Sequence, residues 1–484
     1  ERVGARPAAP AAPAAPASLA APAAPPLSHL RRSAGGLGRH PGFARVPDAG
    51  RGRISGERGG SPISQVRTGG GGPGCRALQS ELASATTVQE ARRQALVTSE
   101  EPQEKILARE EAVHESYRRR GPLKVTIIGS GNWGSAIATV VGQNTGKYSV
   151  FGDRATMWVF QELHEGRNLT DIINYDNVNA KYLPGITLPK TVHAEPDLET
   201  AAADADILVF VTPHQFVRRI CEQLKGKIKP DAVAVSLIKG FEVQESSDGT
   251  SGTMEIKLIS EVIEEILGIQ CAALSGANIA HDIANRQFSE STIGCRKEED
   301  AGVLQLLFDV PYFKIGLVQD VAGVQIYGSL KNIVALAAGF VDGLGLDSNT
   351  KAAIIRIGVE EMRKFTKIFY PEVKRSTMWD SCGIADVITT CYAGRNRRCA
   401  ETFVRERTKS WEQIERELLN GQKLQGVLTA AEVFEFLHSN GKLDMFPFFH
   451  QVHKISTRDA EPESIIETFQ HADLKPFEIE SRGI

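Results

Sequence analysis

A short β-branched run that leads directly into a glycine-rich turn constrains the fold of this chain more than any other feature. Residues 125–128 read Val-Thr-Ile-Ile, which is typical of a buried strand. Residues 129–134 fit the pattern G-x-G-x-x-G, and residues 135–141 begin a small-then-apolar helix. In this setting the glycines let the backbone approach a pyrophosphate at a helix N-terminus, although a purely structural turn is the alternative. We predict a dinucleotide site formed by Gly129, Ser130, Gly131, Asn132, Trp133 and Gly134.

Short apolar runs recur after this turn at intervals that leave room for helices. They occupy residues 155–160, 206–211, 232–238 and 271–274. Strands that alternate with helices predict a mostly parallel sheet that is covered on both faces. After about Gln319 the strand signal ends, and apolar residues recur at helical spacing. The sequence therefore predicts an α/β Rossmann-type NAD-binding domain, 121–319, followed by an all-α domain, 320–484.

The end of the second apolar run indicates which dinucleotide is bound. An acidic residue at this position accepts the ribose hydroxyls, whereas a basic residue accommodates a 2′-phosphate. Residues 158–162 contain no Lys or Arg, which favours NAD over NADP. Glu162 lies farther past Gly134 than the usual ~20 residues. It is therefore either a ribose contact or an exposed charge.

Polar residues follow the later strands at the sheet edge where ligands bind in open α/β folds. They occupy residues 213–216, 239–240 and 276–278. Lys331 is different, because it lies in an otherwise apolar helix. A buried ammonium is costly unless it has a carboxylate partner or a role in proton transfer. Burial also lowers a lysine pKa toward neutrality, which suits a general acid or base.

A second apolar stretch supplies a partner for this lysine. Asp386 lies within residues 383–390, where an unpaired carboxylate would be costly. Residues 394–398, Gly-Arg-Asn-Arg-Arg, then begin a helix that combines backbone N–H groups with guanidinium groups. That combination suits a phosphate, although an exposed basic helix start is the alternative.

The first 88 residues differ in composition from the rest of the chain. Residues 1–80 hold eleven arginines, no lysine and three acidic residues, with Ala-Pro repeats and glycine runs. Such a segment buries too little apolar surface to offset the entropy of ordering. We expect a disordered leader over 1–88 and a charged helical linker over 89–120. The leader is either an organelle transit segment or an unconserved or mis-assigned extension.

Charge, hydropathy and cysteine spacing argue against several classes of function. A formal net charge of -3 argues against nucleic acid or an anionic membrane as the main partner. No uninterrupted apolar run approaches the ~18–20 residues of a membrane span. The seven cysteines are scattered, which suggests a reducing compartment. His450 and His453 have no Cys or acidic neighbours at ligand spacing, so we predict no metal site.

Eight motifs in order resemble those of eukaryotic NAD-dependent glycerol-3-phosphate dehydrogenases. They are residues 129–134, 213–216, 237–240, 276–280, 330–332, 383–391, 394–397 and 420–426. The departures are small: Ser329 and Ala393 replace the usual alanine and glycine, and residues 244–253 look like a loosened loop. The resemblance implies a C-terminal domain like that of 6-phosphogluconate dehydrogenase, which binds the substrate and forms a homodimer.

The resemblance also implies roles for individual residues. Lys331 would be the catalytic residue, with Asp386 and Lys239 beside the substrate. The implied substrate-binding residues are Lys239, Asn332, Thr390, Arg395 and Asn396. The implied NAD contacts beyond the glycine turn are Phe160, Phe216, Ala280, Arg395, Lys423 and Gln425, of which the last two lie on a loop expected to close over the cofactor.

The activity implied is reversible hydride transfer between sn-glycerol 3-phosphate and NAD+, which yields dihydroxyacetone phosphate, NADH and a proton. Such an enzyme links carbohydrate metabolism to glycerolipid precursor supply and redox balance. We expect a cytosolic enzyme, with the plastid as the alternative if residues 1–88 act as a transit segment.

Two other functions are alternatives for a chain with these residues. A relative with this two-domain plan could act on a β-hydroxyacid, but only a phosphorylated substrate requires Arg395. A catalytically silent NAD-binding sensor would be expected to have lost at least one of the polar site residues. All of them are present: Lys239, Lys331, Asp386, Arg395 and Asn396.

Overall fold

The computed structural model describes residues 121–246, 252–419 and 423–470, together with six individual positions between 104 and 113. The predicted leader, 1–88, and most of the predicted linker lie outside these residues. The six linker positions are helical. Among them Val113 is buried, and Glu110 accepts a hydrogen bond from the Ser149 amide (2.6 Å). Glu110 and Val113 therefore contact the folded region.

One large sheet organises the N-terminal half. The strands in the described residues are β1 (Leu123–Ile128), β2 (Phe151–Trp158), β3 (Leu163–His164), β4 (Arg167–Asn168), β5 (Val192–Glu195), β6 (Ile207–Phe210), β7 (Val233–Ser236), β8 (Phe241–Glu245), β9 (Met254–Leu258), β10 (Gln270–Ser275), β11 (Ser289–Gly294) and β12 (Phe313–Val318). Eight of them form the sheet, in the order β12-β11-β10-β7-β6-β1-β2-β5. Every neighbouring pair is parallel except β10 and β11. The predicted mostly parallel sheet is confirmed.

Side chains of the central strands alternate between two apolar cores. In β1, Val125 and Ile127 belong to one core, whereas Ile128 belongs to the other. In β6, Val209 and Phe210 are divided in the same way. Successive side chains of a strand point to opposite faces. The sheet is therefore covered on both sides, and its polar strand ends are left at the edge.

Helices supply both covering layers and all the regular structure described after β12. Those of the N-terminal half are α1 (Asn132–Thr145), α2 (Leu169–Asp176), α3 (Leu198–Ala202), α4 (Val217–Leu224), α5 (Ile259–Leu267), α6 (Ala280–Ala284) and α7 (Glu298–Phe308). Those of the C-terminal half are α8 (Val321–Gly343), α9 (Ser348–Phe369), α10 (Asp386–Ala393), α11 (Arg395–Arg405), α12 (Trp411–Leu419), α13 (Gln425–Ser439), α14 (Pro447–Thr457) and α15 (Ser464–Gln470). The predicted all-α C-terminal region is confirmed.

The long helix α8 forms the centre of the C-terminal half. It packs against α9, α10, α11 and α13, and nearly all of its side chains are buried. Among the described helices, α8 alone is long and apolar enough to cross a membrane, although Lys331 and Asn332 interrupt its apolar run. Its apolar window is completely buried inside the protein. A polar side chain on this helix must therefore find its partners within the fold.

The predicted apolar runs do not include the outer strands of the sheet. β5 and β12 lie at the two edges, and β11 lies next to β12. β11 reads Ser-Glu-Ser-Thr-Ile-Gly, with one large apolar residue. Four of the six residues of β11 are nevertheless buried, among them Ser291 and Thr292, so this strand lies in the core without the apolar run that would have revealed it.

The loop predicted over residues 244–253 is wrong at its N-terminal end. Gln244 and Glu245 belong to β8, which pairs with β9 in a hairpin. Phe241 and Leu258, at the base of the hairpin, are buried in the core of the helical half. The hairpin therefore connects the two halves of the protein.

The six cysteines in the described residues are free thiols and are all buried. They are Cys221, Cys271, Cys295, Cys382, Cys391 and Cys399. Burial raises the pKa of Cys221 and of Cys391 to about 12. These two thiols therefore remain protonated and unreactive at neutral pH.

A buried carboxylate joins two helices of the C-terminal half. Glu361 of α9 accepts the backbone N–H groups of Phe448 and Phe449 (2.8 and 3.0 Å) at the start of α14. These hydrogen bonds favour the carboxylate, but burial outweighs them and raises the pKa of Glu361 to about 7.

We expect Glu361→Gln to change how stability depends on pH. The folded-state pKa exceeds the unfolded value, so raising the pH through this interval deprotonates the unfolded chain first. The free energy of unfolding of the wild-type protein then falls by up to about 3 kcal/mol between roughly pH 4.5 and 7. The variant lacks this titration, so its stability relative to wild type should rise over the interval. Urea unfolding at several pH values measures the difference, and a pH-independent difference would contradict the assignment.

Candidate active site

The glycine turn after β1 presents an open backbone surface. Gly129 has a φ of +124°, which side chains rarely adopt, and a Cβ on Gly134 would lie 2.3 Å from the Gly129 carbonyl oxygen. A Cβ on Gly131, in contrast, would meet nothing within 4 Å. Gly131 immediately precedes α1, so the unpaired N–H groups of the helix start face this space. The turn fits a pyrophosphate.

Asn179 fixes this turn, and the sequence gives no signal for it. Its fully buried Nδ2 donates to the Ser130 carbonyl (2.8 Å) and to Ser135 Oγ (2.8 Å). Its Oδ1 accepts the Tyr182 N–H (3.1 Å), and the Tyr182 carbonyl accepts Asn132 Nδ2 (3.0 Å). The segment around Asn179 therefore forms the outer wall of the turn, from a part of the chain that carries no recognisable motif.

We expect Gly134→Ala to reduce both stability and NADH affinity, because the added Cβ must displace the Gly129 carbonyl. A clash of this kind typically costs about 2 kcal/mol. Gly131→Ala is the matched control for stability, since its Cβ meets no atom and its backbone is unstrained. Thermal unfolding and NADH titration of both variants measure the effects. Equal melting temperatures would contradict the steric argument.

Exposed aromatic side chains flank the glycine turn at neighbouring strand ends. Phe160 follows β2 and is 71% exposed, and Phe216 follows β6 and is 53% exposed. Ala280 begins α6, after β10. Trp133 is partly buried against the core. The strand-end positions predicted for the cofactor thus lie along one sheet edge, and large exposed aromatic faces there suit a flat ring ligand.

Lys331 is buried in the middle of α8 and is only 4% exposed. Its Nζ donates to Asp386 Oδ1 (2.5 Å) and to Thr390 Oγ1. Asp386 is the first residue of α10, and Thr390 lies one turn farther along. The other carboxylate oxygen, Asp386 Oδ2, accepts from Lys239 Nζ (3.0 Å). The structure thus joins four of the implied catalytic and substrate-binding side chains in one cluster: Lys239, Lys331, Asp386 and Thr390.

Burial is the main influence on the pKa of Lys331. Loss of solvent lowers the pKa of Lys331 to about 7, while the adjacent Asp386 carboxylate opposes that shift and the second cation, Lys239, adds to it. Burial therefore brings the neutral amine closer in free energy to the ammonium than it is in an exposed lysine. A lysine of this kind can both donate and accept a proton.

Ser329 holds the Lys239 turn in place. The Gly240 N–H donates to Ser329 Oγ (2.9 Å), and Ser329 is 1% exposed. Gly240 has a φ of +123°, and a Cβ there would lie 2.7 Å from Gln425 Nε2 and 3.2 Å from His214 Nδ1. Ser329, which replaces the usual alanine of the family motif, therefore contributes a hydrogen bond beside the predicted site.

Two asparagines form a polar pocket between α8 and α11. Asn396 Nδ2 donates to Asn332 Oδ1 (2.9 Å), and Asn396 Oδ1 accepts the Gly426 N–H (3.0 Å). Asn332 Nδ2 is buried and has no hydrogen-bond partner among the residues that the structure describes. Arg395 is exposed at the first position of α11. A buried donor, a guanidinium and a helix start together suit an anionic ligand.

The predicted cofactor loop is only partly described, because residues 420–422 lie outside the described residues. Lys423 Nζ pairs with Glu415 Oε2 (2.9 Å), and the other oxygen of Glu415 accepts the Leu424 N–H (2.9 Å). Gln425 begins α13, next to Gly240. Glu415 therefore anchors the loop.

The remaining sequence candidates have ordinary partners. Glu162 forms an ion pair with Lys181. His214 Nε2 lies 3.1 Å from Glu432 Oε1. His450 and His453 pack against the Phe434 ring, with ring centroids 5.7 and 4.0 Å away. These two histidines therefore contribute to helix packing.

Comparisons with known proteins agree with this geometry. The family model for the N-terminus of NAD-dependent glycerol-3-phosphate dehydrogenase matches residues 124–301, and the model for its C-terminus matches residues 320–467. The chain is 52% identical to the chloroplastic glycerol-3-phosphate dehydrogenase [NAD(+)] 1 of Arabidopsis thaliana, with 71% of this chain and 85% of that one covered. It is 54% identical to the cytoplasmic glycerol-3-phosphate dehydrogenase [NAD(+)] of Bos taurus, with 69% and 93% covered.

A solved structure shows the same fold. The glycerol-3-phosphate dehydrogenase of Plasmodium falciparum matches with a TM-score of 0.70 and 41% identity, and the match covers 75% of this chain and 99% of that one. The two family models and these relatives extend over both halves of the described region. This chain belongs to the family of NAD-dependent glycerol-3-phosphate dehydrogenases.

Proposed function

We propose that this chain interconverts sn-glycerol 3-phosphate and dihydroxyacetone phosphate with NAD as the redox partner, and that Lys331 is its acid–base residue. The observation that carries the proposal is the buried Lys331–Asp386–Thr390 cluster beside the Asn332–Asn396 pocket. A proton donor next to an anion pocket is what the reduction of a phosphorylated ketone requires.

Lys331 acts on the C2 oxygen. In the reducing direction the ammonium donates a proton to the carbonyl oxygen, and its charge stabilises the developing alkoxide. Asp386 orients the ammonium through its 2.5 Å hydrogen bond. Lys239, on the other oxygen of Asp386, adds positive charge near the reacting atoms. In oxidation, the neutral amine of Lys331 takes the hydroxyl proton.

The phosphate is bound away from the reacting carbon. Arg395 supplies the guanidinium and Asn396 an amide, both at the first turn of α11. Asn332 Nδ2, which lacks a hydrogen-bond partner within the described part of the chain, donates to the substrate. Binding energy from this remote group orients C2 against Lys331, which raises the rate without a new reactive group.

The cofactor lies along the strand ends in this proposal. The glycine turn binds the pyrophosphate, Phe160 and Phe216 contact the rings, and Ala280, Lys423 and Gln425 complete the site. The bound nicotinamide supplies or accepts the hydride. The open space at Gly131 and the two exposed aromatic rings support this placement.

A substrate panel tests the proposal. Purified protein should oxidise NADH with dihydroxyacetone phosphate far faster than with unphosphorylated dihydroxyacetone. A β-hydroxyacid with NAD+ serves as the comparison for the alternative enzyme class. Turnover of the β-hydroxyacid alone would favour that class, and NADH binding without any turnover would favour a silent sensor.

The compartment depends on the leader, and the cytosol is our proposal. The bovine relative is named cytoplasmic and the Arabidopsis relative chloroplastic, so the family occurs in both compartments. Residues 1–120 fused to a fluorescent protein should give a diffuse cytosolic signal. A plastid signal would favour the transit alternative.

A homodimer through the helical half is the proposed assembly. Ile388 and Tyr392 of α10 are 51% and 76% exposed, and Trp379 in the preceding turn is 72% exposed. Ile388 and Tyr392 are four residues apart on one face of α10, and an exposed apolar face is commonly covered by a partner subunit. Light scattering on the purified protein should give twice the chain mass, and the mass of a single chain would contradict the proposal.

A further inference from the structure

We propose that Glu162 sets the preference for NAD over NADP by forming an ion pair with Lys181 beside the adenosine ribose. The paired ammonium is then not available to bind the 2′-phosphate of NADP. The inference rests on the proposed function, because it concerns the cofactor of the same site. Lys181, which belongs to none of the predicted motifs, then also determines the preference between NAD and NADP.

The loop after β2 holds Glu162 in a defined place. Its carbonyl accepts the Leu169 N–H (2.9 Å), and the neighbouring Gln161 Oε1 accepts from Thr170 Oγ1 (3.0 Å). Both bonds attach the loop to the start of α2. β2 runs parallel to β1 and pairs with it up to its last residue. The loop therefore leaves the sheet at the edge where the glycine turn lies, which is where Rossmann-type sites recognise the ribose.

Lys181 approaches the same place from the other side. It lies between Asn179, which donates to the Ser130 carbonyl (2.8 Å), and Tyr182, whose carbonyl accepts Asn132 Nδ2 (3.0 Å). The Asn179 side chain and the Tyr182 backbone, on either side of Lys181, are thus both hydrogen-bonded to the glycine turn. The ion pair with the acidic residue of the β2 loop consequently spans the gap between the phosphate turn and the ribose loop.

Because Lys181 is engaged in this ion pair, it is not available to bind the 2′-phosphate of NADP. Pairing with Glu162 raises the pKa of Lys181, so its ammonium is charged and occupied. A 2′-phosphate brings up to two negative charges and would have to displace a carboxylate to reach it. Within residues 159–168, all of which are described, Arg167 is the only Lys or Arg, and it pairs with Asp176 (2.6 Å). NAD, with hydroxyls at this position, meets no such repulsion.

Glu162→Gln tests the inference, because it keeps the shape of the side chain and removes its charge. The ratio of kcat/KM for NADPH to that for NADH, with dihydroxyacetone phosphate, should rise about tenfold or more. Adding Lys181→Met to this variant should return the ratio close to the wild-type value. The gain in the single variant should also shrink as salt is added, since it depends on an exposed charge.

Two controls separate this effect from others. Glu417→Gln breaks a Lys409–Glu417 pair in the helical half and should leave the ratio unchanged. Binding of NADPH and NADH measured by tryptophan fluorescence, without substrate, gives the same ratio independently of turnover. An unchanged binding ratio in Glu162→Gln, or an equal rise in the double variant, would overturn the inference. Absence of wild-type turnover with dihydroxyacetone phosphate would instead count against the proposed function.

Discussion

Replacing Lys331 by methionine is expected to lower the rate of dihydroxyacetone phosphate reduction by about 10⁴-fold while NADH still binds. The substitution removes both the proton donor and the positive charge that stabilises the alkoxide, so two contributions are lost together. Loss of general acid catalysis alone typically costs a factor of about 10²–10⁴. Stopped-flow or steady-state NADH oxidation measures the rate, and NADH titration measures the binding.

The folded state should tolerate this change. Methionine has a similar length to lysine and is apolar, as are most neighbours on α8. Asp386 keeps its hydrogen bond to Lys239 (3.0 Å), so its buried carboxylate is not left unpaired. Removing a buried ammonium also removes its desolvation cost. The melting temperature should therefore stay near the wild-type value, and near-normal turnover by a folded variant would refute the catalytic role.

Asp386 offers a check that distinguishes chemistry from structure in this cluster. Asp386→Asn preserves the shape but removes the charge that holds two ammonium groups. The pKa of Lys331 should fall further, because the carboxylate is the influence that raises it. As the pH is raised, Lys331 should therefore lose its proton at a lower pH in this variant than in the wild type. The fall in reduction rate that accompanies this deprotonation should shift to lower pH with it.

The sequence contains enough local information to predict the central sheet and the catalytic pair. β1 and the glycine turn are contiguous, so strand propensity and the motif act within a dozen residues. Lys331 and Asp386 are distant in sequence, but each is anomalous in its own apolar surroundings. The cost of burying an unpaired charge therefore predicts that each needs a partner.

Other site residues could not be found in this way. Asn179 and Ser329 are small polar residues of a common kind, and their importance comes from hydrogen bonds to the turns at Ser130 and Gly240. Neither contact leaves a periodic pattern. Lys181 is similar, because its role depends on a carboxylate that another loop brings to it. Such residues can be identified only once the tertiary contacts are known.

The proposed ligands are anions, although the chain outside its leader is acidic. The Arg-rich composition of residues 1–80 conceals an excess of acidic residues in the remainder of the chain. An overall positive field therefore cannot attract a phosphate and a dinucleotide. Individually placed cations and helix starts must do so, and Arg395 combines both at the start of α11.

Arg395→Ala is accordingly expected to reduce kcat/KM for dihydroxyacetone phosphate by about 10³-fold, because a guanidinium–phosphate interaction makes two charge-assisted hydrogen bonds. Unphosphorylated dihydroxyacetone has no group for this guanidinium, so its slow turnover should change much less. The preference between the two substrates should therefore collapse, with a lower kcat and a higher KM for dihydroxyacetone phosphate, because the phosphate both binds and orients the substrate.

Arg398→Ala is the matched control for this prediction, since Arg398 is an exposed arginine one turn along the same helix. It should keep the wild-type preference, which shows whether position or general positive charge matters. Added guanidinium ion should restore part of the activity of Arg395→Ala and none in the control. If Arg395→Ala kept the preference for the phosphorylated substrate, the phosphate would have to bind elsewhere, and the orientation of C2 toward Lys331 would need a different anchor.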